Sequence, residues 1–140
     1  MRTVGVGRSR LPRKRGGHVT ATVETPYTIV TRTKAALVVE LMGEIDVSDR
    51  ARLARRLMRN LDGDERRIVV DASNVSFMDA SILRLLAVVA RLVEDRGGKL
   101  VLVADHRGLR RILQITGFDN HVAVVDSLDE ALGANLMGSQ

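Results

Sequence analysis

Residues 67–83 read Arg67-Ile-Val-Val-Asp71-Ala-Ser-Asn-Val-Ser-Phe77-Met-Asp79-Ala-Ser81-Ile-Leu83. Ile68-Val69-Val70 is a β-branched run of the kind that fills a buried central strand. Asp71 ends that run, a short polar loop follows, and Phe77-Met78 precedes a helix start. Asp79 suits an N-cap, which leaves Ala80 and Ser81 in the first turn. The helical pattern then runs to about Arg96, where Gly97-Gly98 stop it. A buried strand feeding a capped helix is the repeating unit of an α/β protein.

The same unit recurs on both sides. Upstream, Tyr27–Thr33 and Ala36–Leu41 read as two strands, plausibly a hairpin. Gly43-Glu44-Ile45-Asp46 closes the second strand and starts a turn. Val47–Leu61 then spaces Ala51, Ala54, Leu57, Met58 and Leu61 by threes and fours, with arginines between, as an amphipathic surface helix does. Its arginines suit a solvated face. Downstream come a strand at Leu100–Ala104, a helix at Gly108–Thr116 stopped by Gly117, and a strand at Val122–Val125. Ser127-Leu-Asp-Glu130 is a capping box opening a last helix. Alternation at this spacing predicts an α/β fold: one mixed, mostly parallel sheet with an antiparallel N-terminal edge and about four helices. The expected organisation is a disordered basic arm over 1–22, one domain over 23–136 and a flexible tail over 137–140.

Charge follows the same division. Residues 1–31 hold Arg2, Arg8, Arg10, Arg13, Lys14 and Arg15 against Glu24, and residues 32–140 hold 16 basic and 16 acidic side chains. The net +5 therefore belongs to the arm, and the domain body is balanced. That weakens a nucleic-acid role for the body. Aromatics at 2 % also leave few platforms for stacking bases. With no cysteine in the chain, disulfides, thiolate metal sites and cysteine nucleophiles are excluded. No apolar run reaches the ~18 residues of a membrane span, and the basic start lacks the apolar segment of a secretory signal.

Candidate chemistry fails on context. Gly97-Gly98-Lys99 lacks the upstream glycine and following hydroxyl of a phosphate loop and precedes a strand. His18, His106 and His121 are scattered, fit no metal site and read as plain surface residues. A phospho-receiver needs an acidic pair after its first strand and a lysine after a late one. Here Glu44 and Asp46 follow the second strand, and Lys99 begins one. No catalytic residue, metal ligand or cofactor is assigned, and the chain reads as a non-enzyme.

The helix after Asp79 carries the functional signal. At about 100° per residue, Ile82, Leu86, Val89 and Val93 form an inward stripe. Ala80, Ser81, Arg84, Ala87, Val88, Arg91 and Asp95 fall opposite, a mix of small, apolar and few charged groups. That surface suits either a flat docking patch or a helix sandwiched between neighbouring elements.

Asp71, Ser73, Val75, Phe77, Met78, Asp79, Ser81 and Leu83 resemble the pattern Asp-x-Ser-x-Val-x-Phe-hydrophobic-Asp-Ser-Ser/Thr-Gly-Leu of STAS domains, specifically the anti-sigma factor antagonists of bacterial partner switching. Gly43-Glu44-Ile45-Asp46 resembles that family's Gly-Glu-Leu-Asp. Leu113-Gln-Ile-Thr-Gly117-Phe resembles its late helix-to-strand turn. The resemblance spans about residues 24–136. Two positions depart from it: the phospho-accepting serine falls at Ala80, and the glycine two residues on is Ile82. Ser81 is the one hydroxyl left in that turn.

The resemblance implies a cytoplasmic antagonist that binds an anti-sigma factor with a histidine-kinase-like ATPase fold and so releases a sigma factor. Asp46, Asp79, Ser81, Arg84 and Val88 would line the contact. Ser81 is either a substitute phosphoacceptor or a bystander in a module no kinase switches. Asp79 also suits helix capping alone, and Asp46 turn formation alone. The alternative is a STAS scaffold subunit of a stress-sensing or transport complex. Nucleic-acid binding through the arm ranks third, and oligomeric state stays open.

Overall fold

Strands rich in Val, Leu and Ile can bury both faces only inside a sheet covered on both sides. The computed structural model, which describes residues 20–24, 28–33, 36–61 and 66–133, has that arrangement. Its strands are β1 (Thr20–Glu24), β2 (Thr28–Arg32), β3 (Ala36–Ile45), β4 (Arg67–Met78), β5 (Lys99–Val103) and β6 (Ala123–Val125). Its helices are α1 (Arg50–Asn60), α2 (Ala80–Asp95), α3 (Arg107–Thr116) and α4 (Leu128–Leu132), with single 3-10 turns at Val47–Asp49 and Phe118–Asn120.

The six strands lie side by side in chain order. β1 and β2, like β2 and β3, pair antiparallel, whereas β3, β4, β5 and β6 pair parallel. Right-handed crossovers between strands that advance in one direction place all the connecting helices on one face. Leu37, Val39, Ile68, Val70, Leu100 and Leu102 accordingly join one core with Leu53, Leu57, Ile82, Leu86 and Leu113 of α1, α2 and α3. The alternate strand residues Ala36, Val38, Val69, Val101, Val103 and Val125 form a second core under Leu128 and Ala131 of α4. Each fully buried aliphatic side chain contributes roughly 1.5–3 kcal/mol.

Three boundaries differ from the sequence expectation. β1 begins at Thr20 and takes in the end of the arm expected over 1–22. The rest of that arm, and the tail expected over 137–140, lie outside the described residues. The expected loop after Asp71 is instead strand, and β4 runs on to Met78. Its polar residues have weak strand propensity, but β3 pairs with it as far as Ile45 opposite Met78. That register shifts between Gly43 and Glu44, and Gly43 at φ 81° accepts the backbone twist a side chain would resist. Thirdly, the first helix opens as a 3-10 turn before α1.

The glycine pair that resembled a fragment of a phosphate loop has a packing role. A Cβ on Gly98 would stand 2.5 Å from the Arg66 carbonyl oxygen. Asp71, which ends the β-branched run of β4, is fully buried and its Oδ1 accepts from Ser73 N at 3.0 Å.

Candidate functional site

Because β3 and β4 are parallel and in register at their ends, the residues that follow them emerge together. Asp79 N donates to Ile45 O at 3.0 Å, joining the start of α2 to the end of β3. Asp46 and Asp79 thus come to one edge of the sheet, each heading a helical segment. Asp46 Oδ1 accepts from Ser48 N at 2.9 Å and Ser48 Oγ at 2.6 Å, while Asp49 Oδ2 accepts from Asp46 N at 3.0 Å. The side-chain bond from Ser48 and then its backbone bond hold the Asp46 carboxyl below its ordinary range. Asp79 Oδ1 accepts from Ser81 N at 2.8 Å. Both acids therefore cap, as the sequence allowed. Asp46 is exposed as well, and Asp79 half-buried.

The outward face of α2 is open. Ile82, Leu86, Val89 and Val93 are buried as the stripe required, joined by Leu83, Leu85 and Ala90. Ala80, Arg84, Val88, Arg91 and Asp95 are exposed, while Ser81 and Ala87 are half-buried. Val88 keeps 57 % of its surface in contact with solvent. Of the two readings of this helix, the sandwich between neighbouring elements has no support among the described residues. Ser81 itself is shielded: its Oγ is buried and has no hydrogen-bond partner. Ala80, its neighbour at the start of α2, is exposed.

Two exposed apolar residues adjoin the caps, and the sequence reading assigned neither of them an exposed role. Phe77 at the end of β4 is 47 % exposed and Val47, just after Asp46, is 62 % exposed. Their signal was available only in part: each stands within two residues of a capping aspartate. His106 was also misjudged as a plain surface group. It is half-buried, caps α3 by accepting from Leu109 N through Nδ1 at 3.2 Å, and sets Nε2 2.9 Å from Val75 O. A proton on Nε2 satisfies both contacts, so the imidazole ties α3 to the last stretch of β4.

Other chemistry is thin. No group of three or more His, Asp or Glu side chains among the described residues could hold a metal. No helix among them is long and apolar enough to cross a membrane. A cavity of about 240 Å³, lined by Arg110, Leu113, Gln114, Asp119 and Val124, lies between α3 and β6 rather than at the caps.

A mixed sheet with three helices on one face and a fourth on the other, and an exposed helix start at the end of its central strands, defines an α/β domain. Comparison with known proteins agrees. The STAS domain family profile matches residues 27–131. BtrV of Bordetella bronchiseptica, provisionally named an anti-sigma factor antagonist, is 28 % identical over 98 residues, covering 70 % of this chain and 84 % of BtrV. The crystal structure of an anti-sigma factor antagonist from Mycobacterium paratuberculosis superposes with a TM-score of 0.67 at 25 % identity, covering 86 % of this chain and 96 % of that one. The phosphorylated form of the Bacillus cell fate determinant SpoIIAA shares the fold, with a TM-score of 0.57 at 20 % identity over 86 % of this chain and all (100 %) of the other. The chain belongs to the STAS domain family.

Proposed function

We propose that this chain is an anti-sigma factor antagonist: it binds an anti-sigma factor of ATPase fold in the cytoplasm and so sets a sigma factor free. It acts by occupying a partner's surface, without chemistry of its own. The observation that supports the reading is the open face of α2, where Asp79 comes beside Asp46 and Ala80, Arg84 and Val88 are exposed. The relatives named for the same role support it.

Phosphorylation of the antagonist would normally break such a contact. With alanine at position 80 and the Ser81 hydroxyl shielded, the contact here is not released in that way. Incubation with an ATPase-fold partner and ATP tests this by mass spectrometry. The expected outcome is no phosphate on the wild-type chain and phosphate on Ala80→Ser. Stoichiometric phosphate on wild-type protein, lost in Ser81→Ala, overturns the unswitched reading. Capture of a transporter ATPase, or of other STAS chains, in place of an ATPase-fold anti-sigma factor would support the scaffold alternative.

A further inference from the structure

The exposed arginines of α1 and α2 do not behave as an ordinary solvated face. Arg50, Arg52, Arg55 and Arg59 are exposed along α1, and α1 contains no acidic residue. Arg84 and Arg91 are exposed along α2. None of these six guanidiniums meets a carboxylate among the described residues. A solvated helix usually interleaves acids and bases at i and i+4. α1 has left its positive charge uncompensated, whereas on α2 the exposed Asp95 follows Arg91 at i+4.

Between the two rows lies apolar surface. Arg32 of β2 donates to Asn60 Oδ1 at 3.0 Å, which turns the Arg56–Asn60 flank of α1 toward β2. The opposite flank, Ala54 and Met58, therefore turns toward α2. Because α2 runs in the same sense over the next strand, the same rotation turns Leu85, Val88 and Leu92 toward α1. Met58, Val88 and Leu92 are all exposed. The two helices are also held side by side at both ends. Asp79 N bonds Ile45 O at 3.0 Å near their starts, and Arg96 Nη2 bonds Leu61 O at 2.6 Å just past their ends. This rotation sets the exposed Met58, Val88 and Leu92 between Arg55 of α1 and Arg84 and Arg91 of α2, with Asp95 at the far end of the α2 row.

We infer that the surface between α1 and α2 seats an amphipathic helix of a partner protein, with an apolar stripe on Met58, Val88 and Leu92 and carboxylates facing Arg55, Arg84 and Arg91. A third helix packs onto such a surface by spacing its anchors at i, i+4 and i+7. Complementary charge sets its orientation and excludes competitors. The chain's own N-terminus is not the occupant, since Arg2, Arg8, Arg10, Arg13, Lys14 and Arg15 would meet like charge. The same repulsion disfavours a second copy docking through this face. The inference rests on the docking reading above for the side on which a partner lands, not for the partner's identity.

The test uses the full chain and a fluorescein-labelled synthetic helix with leucines at i, i+4, i+7 and i+11 flanked by glutamates. Binding is read by anisotropy at low and moderate salt. The glutamate helix is expected to bind, and Arg55→Glu with Arg91→Glu to weaken it at least about ten-fold at unchanged melting temperature. Arg107→Glu with Arg111→Glu, which reverses as much charge on α3, is expected to leave binding within about two-fold. Equal binding of a glutamine-flanked control, or equal loss from the α3 pair, overturns the proposal. So does a DNA duplex that binds more tightly through the same arginines. Two further outcomes separate this from the antagonist reading. If an ATPase-fold anti-sigma partner binds wild type and Arg55→Glu/Arg91→Glu equally, the helix-docking surface falls and the antagonist stands. If no such partner binds but the glutamate helix does, the helix-docking surface stands and the antagonist falls.

Discussion

α1 and α2 are built to the same plan and finished differently. Each follows a parallel strand, is introduced by an aspartate cap and buries a leucine-rich stripe against the sheet. On the solvent side α1 carries arginine after arginine, whereas α2 mixes Ala80, Arg84, Val88 and Arg91. The shared half of the plan makes the fold. The divergent half meets the outside world, and an exposed Val88 beside Arg84 costs the fold little while offering a partner an anchor. Burial and caps govern stability; on the function proposed above, the outward residues choose the partner.

Substitutions can break that division or sharpen it. The largest loss is expected from the inward stripe: Leu86→Ala should cost about 2–5 kcal/mol of unfolding free energy in urea titrations, by transfer and cavity terms together. A loss below about 1 kcal/mol would mean that α2 is not held by its core face. Next comes the cap. Asp79→Ala should lower stability by about 1 kcal/mol as Ser81 N loses its acceptor, and restoration by Asp79→Asn or Asp79→Ser should be nearly complete.

A smaller effect is expected at Asp46, and it depends on pH. Its bonds from Ser48 depress the folded-state pKa, so the carboxylate is preferred in the folded chain. That stabilisation is fully present above the ordinary carboxylate value of about 4. It fades as pH falls through the lowered folded value. Asp46→Asn should flatten the acid limb of a melting-temperature profile below about pH 4 and leave the neutral region's slope unchanged. Smallest of all for stability is Val88→Asp, within about 0.5 kcal/mol of wild type. The same change should weaken capture of an anti-sigma partner by about ten-fold or more, because an anchor would become a buried charge. Equal capture by wild type and Val88→Asp would remove α2's outer face from the docking surface.

Much of this was legible in the residues themselves. The Asp79 cap, the Ile82–Leu86–Val89–Val93 stripe, the Gly117 stop and the alternation of strands and helices all follow from local chemistry and periodicity. The extension of β4 to Met78 was not, because Ser73, Asn74 and Ser76 argue locally for a loop and only pairing with β3 overrides them. β1 was hidden for a related reason: Thr20–Glu24 is a short edge strand that acquires its meaning from β2. Phe77 and Val47 were legible as apolar residues beside caps, yet their exposure depends on which neighbours the fold brings. The contact of His106 with Val75 O had no local signal, since the two are 31 residues apart.

The amino-acid sequence alone determined the elements, their caps, the family resemblance and the loss of a hydroxyl at Ala80, because these depend on residues within a turn or two of one another. Tertiary structure alone decided that Asp46 and Asp79 emerge side by side, that the Ser81 hydroxyl is shielded and that Met58, Val88 and Leu92 are left exposed. Those facts depend on strand register and on the hand of the crossovers, which join residues far apart in the chain and leave no trace in local pattern.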